Sequence, residues 1–290
     1  METSPYSDFA VQFWGVRGSI PTPGKDTVRY GGNTSCIEMR AGGKRLIFDG
    51  GTGLQVLGKS LLKQQPVEAY LFFTHYHWDH IQGFPFFTPA FIPGNCFHIH
   101  GAVPPDGDSM QQHFLERILH PNSPVPIDGI QANLKFYDLV CGEKFAIDDI
   151  TFETRPLNHP NNAMGYRVTW QGHSVFYCTD TEHFPDRMDE NVLYLAQNAD
   201  LLIYDAMYTD EEYHNPKSPK YGWGHSTWQE AVKLCKVAGV KKLVIFHHDP
   251  IHHDDFLDNL DVEVKLAYPN SVMAKEGLII DVVNSSCYYQ

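Results

Sequence analysis

The sequence has no apolar run of about 18 residues, which excludes a membrane-spanning helix. Its start, Met1 to Ala10, does not combine a basic segment with an apolar one, so no export signal is expected and a cytoplasmic location follows. The cysteines Cys36, Cys96, Cys141, Cys178, Cys235 and Cys287 lack the paired spacings of a disulfide framework. A chain of this length needs no staples, and free thiols are expected. Basic residues are scarce: 22 Lys and Arg against 35 Asp and Glu leave a formal charge of −13. Duplex or folded RNA draws affinity from phosphate neutralisation, so a large nucleic acid is not expected as a partner. Internal repeats and low-complexity segments are also missing.

What is present suffices for a sizeable core, with 42% hydrophobic and 13% aromatic residues in 290. A single α/β domain over 1–290 is expected. Strands are read at Phe9 to Gly15, Asn33 to Met39, Leu46 to Asp49, Ala69 to Phe73, Phe145 to Thr154, Gly165 to Trp170, Ser174 to Cys178 and Lys241 to Ile245. Helices are read after Asp49-Gly50-Gly51-Thr52-Gly53 as far as Leu61, over Ser109 to Leu119, Glu190 to Asn198 and Thr227 to Ala238. The stretch 84–130 reads as a surface insertion. Its apolar beginning, Phe84 to Pro93, fits a lid, a homodimer contact or plain core.

The densest chemical signal is Thr74-His75-Tyr76-His77-Trp78-Asp79-His80, in which His75, His77, Asp79 and His80 crowd one turn directly after an apolar strand. Neutral imidazoles suit first-row divalent ions and carboxylates the harder ones, so the mixture can hold two cations where one would not use all four. A fortuitous histidine tract lacks both the alternation and the strand. The segments Ser174 to Cys178 and Leu243 to Phe246 are each followed by a potential ligand, so several strand ends can meet on one rim.

The motif T-H-x-H-x-D-H resembles the signature of the metallo-β-lactamase fold superfamily, and further stations in the usual order extend the likeness over roughly residues 10 to 282. The resemblance implies a four-layer αββα sandwich holding two divalent ions, Zn²⁺ foremost with Mn²⁺ or Fe²⁺ as alternatives. It also implies that His75, His77 and His159 hold one ion, Asp79, His80 and His247 the other, and Asp180 bridges them. His248, beside His247, is the reserve for the last ligand. Asp49 is expected to orient a ligand histidine or to cap a helix.

Tyr221-Gly222-Trp223-Gly224-His225-Ser226-Thr227 resembles the C-terminal block of ribonuclease Z-like phosphodiesterases. In those enzymes the matching histidine sits over the substrate phosphate and pairs with a glutamate. Asp205 stands in that place here, a shorter carboxylate that can still orient and charge His225. Read structurally, His225 is instead a neighbour of a helix capped by Ser226. The basic arm that such enzymes use on transfer RNA has no counterpart in Ala102 to Ile130, where Arg117 stands against Asp106, Asp108, Glu116 and Asp128. The N-terminal blocks Phe13 to Ser19 and Tyr30 to Ser35 resemble bacterial proteins of the same fold that include cyclic nucleotide phosphodiesterases.

The resemblance therefore implies a small phosphodiester substrate, with a 3′,5′-cyclic nucleotide leading. Asp79, Asp205 and His225 are the catalytic candidates, while Arg17 and Asn33 are read first as structural, with contact to substrate as the alternative. The implied reaction is attack on phosphorus by a metal-bridging hydroxide. The competing readings are a ribonuclease Z-like endonuclease at RNA 3′ ends, a lactone or thioester hydrolase, and a metal-stabilised nucleotide-binding protein.

Overall fold

A computed structural model describes residues 6–103, 108–120 and 129–289, with the side chains of residues 117 and 118 left out. Asp106, Asp128 and the Arg117 side chain, part of the acidic 102–130 reading, lie outside what is described. The chain forms β1 (Ala10–Gly15), β2 (Cys36–Ala41), β3 (Lys44–Phe48), α1 (Gly53–Leu61), β4 (Glu68–Phe72), the single turn α2 (Trp78–Ile81) and β5 (Cys96–Ala102). After α3 (Met110–Gln112), which continues as a π-helix over His113–Leu119, come β6 (Asn133–Leu139), β7 (Lys144–Ile147), β8 (Ile150–Leu157), β9 (Ala163–Trp170) and β10 (His173–Cys178). Then follow α4 (Glu190–Ala196), β11 (Leu201–Asp205), α5 (Asp210–Tyr213), α6 (Trp228–Ala238), β12 (Lys242–Phe246), α7 (Asp254–Ala267), β13 (Ser271–Met273), β14 (Leu278–Asp281) and β15 (Ser286–Tyr289).

Two sheets result, one ordered β15-β14-β1-β2-β3-β4-β5-β6 and one ordered β13-β12-β11-β10-β9-β8-β7. Their facing sides bury Phe13, Phe48, Phe72, Phe152, Tyr166, Val175 and Phe246 in one cluster. The outer side of the first sheet is covered by α1, whose Leu54, Leu57 and Leu61 fall at helical spacing, together with Phe87 and Phe114. On the outer side of the second, Ala231 and Cys235 of α6 and Leu257 and Val264 of α7 cover Leu202 and Ile245. This is the four-layer αββα arrangement. Among the described residues, no helix is long and apolar enough to cross a membrane.

Three readings of the sequence need correction. Phe145 to Thr154 is not one strand but the hairpin β7–β8, paired Ile147 to Ile150, because Asp148 takes a positive φ of 52° and turns the chain. The stretch 84–130 is not wholly a surface insertion, since β5 lies between β4 and β6 with Ile99 and Phe97 buried. The apolar beginning of that stretch is core, with Phe84, Phe87 and Ala90 buried in the cluster over α1. Lastly, α6 is capped by Thr227, whose hydroxyl accepts from the Glu230 N–H; Ser226 Oγ meets His183 Nδ1 and Tyr204 Oη instead.

Candidate metal centre

Parallel pairing fixes where the polar side chains gather. β3 and β4 run parallel, as do β10, β11 and β12, so their carboxyl ends lie on one rim. Asp49 follows β3, Thr74 and His75 follow β4, Asp180 follows β10, Asp205 ends β11 and His247 follows β12. His159, just past β8, reaches the same rim, whereas α2 carries Asp79 and His80 across it. Asp49, Asp180 and His247 leave their strands at φ of 59°, 54° and 61°. Left-handed backbone in residues other than glycine costs on the order of 1–3 kcal/mol each and persists where surroundings enforce it, which is a mark of functional sites.

The donors fall into two sets that share Asp180. His75, His77, His159 and Asp180 form one, and Asp79, His80, His247 and Asp180 the other. Asp180 Oδ2 is 3.6 Å from both His75 Nε2 and His159 Nε2, and Oδ1 is 3.2 Å from both His80 Nε2 and His247 Nε2. Asp79 Oδ2 is 3.2 Å from His80 Nε2 and 3.3 Å from His247 Nε2. Nitrogen and oxygen ligands about 2.0–2.1 Å from a tetrahedral ion stand about 3.3–3.4 Å apart, so the sets have the spacing of ligand shells. His77 Nδ1 and His159 Nε2 face each other at 3.1 Å, an arrangement that suits two lone pairs sharing a cation. His75 Nε2 is buried without a hydrogen-bond partner, as a ligand atom would be.

The outer ring nitrogens of three of these histidines are engaged. His80 Nδ1 is 2.9 Å from Asp49 Oδ2, His75 Nδ1 3.0 Å from Thr74 Oγ1, and His159 Nδ1 2.8 Å from the Gly224 carbonyl. Such contacts fix ring orientation and raise ligand basicity. Asp49 also accepts from Thr74 N–H at 2.8 Å and Tyr177 Oη–H at 3.0 Å, so its expected orienting role is what its geometry offers. Glycine makes room for the assembly: a Cβ at Gly224 would lie 2.2 Å from His159 Nδ1.

The electrostatics demand positive charge. Burial holds the His75, His77 and His159 imidazoles below their ordinary value, leaving neutral donors. Burial also disfavours a charged His80, but Asp180, Asp79 and Asp49 outweigh it and push the group up. Burial would raise the Asp79 carboxyl, yet His80 and His247 hold it far below the carboxylate range. In effect, His80 supplies the positive charge that a cation would bring.

Above these sets His225 lies 5.3 Å from the His159 ring and 5.1 Å from that of His247, centroid to centroid. Its Nδ1 is 2.9 Å from Asp205 Oδ2, and Asp205 further accepts from the Thr181 and Met207 N–H groups. Burial opposes the imidazolium, but the charge and hydrogen bond of Asp205 prevail and push His225 up to about 9. His248 Nε2 is directed to the Ala274 carbonyl at 2.9 Å, outside both sets, so His247 is the histidine brought to the rim.

Arg17 and Asn33 do not line the site. Arg17 is fully buried, donating to the Gly31 carbonyl at 2.8 Å and the His252 carbonyl at 2.6 Å, and Asn33 Nδ2 donates to Glu276 Oε2 at 3.0 Å. Their role is the structural one favoured from the sequence, and the alternative of substrate contact is set aside. Sequence reasoning missed Glu182, whose carboxylate accepts from the Gly222 and Gly224 N–H groups, both at 2.8 Å, and from Tyr213 Oη–H. It ties down the turn that leads into His225, and nothing in Thr179-Asp180-Thr181-Glu182 marks it for that task.

A strand-end rim with two overlapping His/Asp sets in an αββα sandwich is a centre that could hold divalent metal. The family described as "Beta-lactamase superfamily domain" matches residues 36–248, and the chain belongs to it. Ribonuclease Z of Synechococcus sp. is 25% identical over 94% of this chain and 98% of its own length. Ribonuclease Z of Picrophilus torridus is 26% identical over 95% and 96%. The metallo-beta-lactamase fold protein YhfI of Bacillus subtilis superposes with a TM-score of 0.70 at 21% identity, covering 93% of this chain and 98% of that one, which supports the fold. Together the superfamily match and these near full-length relatives support a metal-dependent hydrolase acting on ester bonds. One expectation falls here. The small-molecule substrate, and the exclusion of a large nucleic acid, are overturned by relatives that are ribonucleases. The formal charge of −13 is an average over the whole surface and does not describe the field at the rim.

Proposed function

We propose that this chain cleaves a phosphodiester bond near the 3′ end of an RNA, as a ribonuclease Z does. Two divalent ions are assigned, Zn²⁺ foremost and Mn²⁺ or Fe²⁺ as alternatives. His75, His77, His159 and Asp180 hold one, and Asp79, His80, His247 and Asp180 the other. The observation that carries the reading is the His225–Asp205 pair beside this doubled donor set. When bound, such ions neutralise charge on a phosphate and bring the pKa of a water toward about 7.

The remaining work falls to the chain. Asp205 occupies His225 Nδ1, so Nε2–H is the atom that donates to the leaving oxygen. Gly224 holds His159 through its carbonyl and Glu182 holds Gly224, so the turn positions His225 relative to the ligands. An RNA end can be gripped in spite of the overall charge. Trp78, Tyr221 and Trp223 flank the rim and are 55%, 56% and 55% exposed, and the Lys220 ammonium lies 4.3 Å above the Trp223 ring. Bases stacked on exposed aromatics gain about 1–3 kcal/mol each without regard to sequence. The six cysteines, none in a disulfide, fit a reducing cytoplasm.

The test is an RNA carrying a 3′ extension, incubated with protein stripped of metal and reloaded with Zn²⁺ or Mn²⁺. Cleavage is expected after reloading and absent after chelation, and His225→Ala slows it about 10²–10⁴-fold, the usual range for general-acid help. Failure to cut any RNA while bis-aryl phosphate is still hydrolysed would sink the RNA assignment.

A further inference from the structure

We propose that Glu68, Cys96 and His98 form a metal site of their own, taking a single Zn²⁺-class ion at the end of β4 remote from the hydrolytic centre. Glu68 begins β4 and Cys96 begins β5, and the two are direct partners in the parallel register. His98, two residues along β5, projects from the same face as Cys96. The sheet thus brings a thiol, an imidazole and a carboxylate to one spot, all within 4.8 Å of one another. His75 lies seven positions after Glu68, which puts the two sites up to about 23 Å apart at about 3.3 Å per extended residue.

The distances suit the ion. Cys96 Sγ is 3.7 Å from His98 Nε2. Sulfur at about 2.3 Å and nitrogen at about 2.0–2.1 Å from a tetrahedral Zn²⁺ stand about 3.5–3.6 Å apart. Glu68 Oε1 is 2.9 Å from the same Nε2, a hydrogen bond that opens slightly when an ion enters between them. His98 is oriented for the purpose. Its ring stacks on Tyr70 at 4.4 Å and 16°, and its Nδ1 is 3.0 Å from Tyr137 Oη, a partner able to accept Nδ1–H once Nε2 binds metal. Access is open, because the Glu68 side chain is 59% exposed. Three protein ligands leave the fourth position to water. Binding converts the Cys96 thiol to a thiolate and releases its proton to solvent, so affinity rises with pH.

Co²⁺ tests this without reference to hydrolysis, since none of the donors of the hydrolytic centre is sulfur and only a thiolate ligand gives the intense near-ultraviolet charge-transfer band. The full chain, stripped and reloaded with excess Co²⁺, should show that band and bind three ions by elemental analysis. Cys96→Ser should abolish the band, bind two ions and keep its hydrolytic rate within about twofold of wild type. Glu68→Gln should keep the band at about tenfold higher half-saturating Co²⁺. A wild type without the band, or a band that survives in Cys96→Ser, overturns the site. Loss of hydrolysis in every protein would refute the hydrolytic centre alone.

Discussion

At its carboxyl end β4 delivers Thr74 and His75 into a buried cluster where the outer ring nitrogens of His75, His80 and His159 already have polar partners. At its amino end the same strand offers Glu68, largely exposed, to Cys96 and His98, with Tyr137 as the one outer partner of the imidazole. Both ends present metal-binding side chains at ligand spacing. The difference lies in what stands behind them. Burial keeps the His75, His77 and His159 imidazoles neutral and makes unmatched carboxylates expensive, so the buried end favours a cation. The exposed end is satisfied by a hydrogen bond and water, so an ion there is held by geometry alone. A buried centre with outer partners on three of its imidazoles suits permanent occupancy, and a half-exposed one suits an ion that comes and goes.

The comparison can be broken most forcefully at Asp180, the side chain common to both donor sets. Asp180→Asn removes the charge that one oxygen presents to each set. Hydrolysis is expected to fall well beyond the roughly 10–100-fold typical of losing an outer partner. Metal content, measured by elemental analysis after dialysis, should fall with it. An Asp180→Asn protein that keeps two ions and more than a tenth of its activity would remove the basis for treating Asp180 as a bridge.

A smaller effect is expected at Asp49, which belongs to neither donor set but holds Thr74 and the outer nitrogen of His80. Asp49→Asn keeps the size and loses the charge, and metal affinity or activity should drop about 10–100-fold. If the buried end owes its strength to this outer layer, excess metal should restore much of the rate. A loss that saturating metal cannot repair would place Asp49 in folding instead, which thermal unfolding of the metal-free protein would reveal.

Much of the centre was legible because a parallel sheet places ligands after short apolar strands. That signature is visible around His75, Asp180 and His247. The choice between His247 and His248 followed from where the strand ends, and the Ala274 carbonyl now accounts for the other histidine. Features that depend on contacts distant in sequence were not legible. Arg17 sits in a Gly/Pro-rich loop that looks available to substrate, yet its guanidinium is bound 235 residues away, by the His252 carbonyl. Glu182 acts through backbone N–H groups 40 and 42 positions downstream, and no spacing rule announces such a contact. Residues 96–102 are a short histidine- and glycine-bearing stretch whose membership of the sheet comes from pairing with β4 and β6. The cap at Thr227 was misassigned to Ser226 because either hydroxyl satisfies a sequence rule, and Tyr204 and His183 occupy the latter.

The smallest expected effect separates substrate grip from chemistry. Trp223 is 55% exposed beneath the Lys220 ammonium, and it lies two residues before His225 without being held by either donor set. If it stacks a base of the RNA, Trp223→Ala should raise KM for an RNA substrate about 5–30-fold, from roughly 1–2 kcal/mol of lost stacking, with kcat nearly unchanged. Hydrolysis of bis-aryl phosphate, too small to span the rim and the platform together, should keep its KM. Lys220→Ala should act in the same direction but more weakly, since an exposed cation over a ring contributes about 0.5–1 kcal/mol. The pattern matters more than either number. A KM effect confined to RNA assigns the loop to binding, whereas an equal fall in kcat for both substrates would mean that Trp223 props the turn holding His225, and the contrast between a rigid metal cluster and a separate gripping surface would collapse.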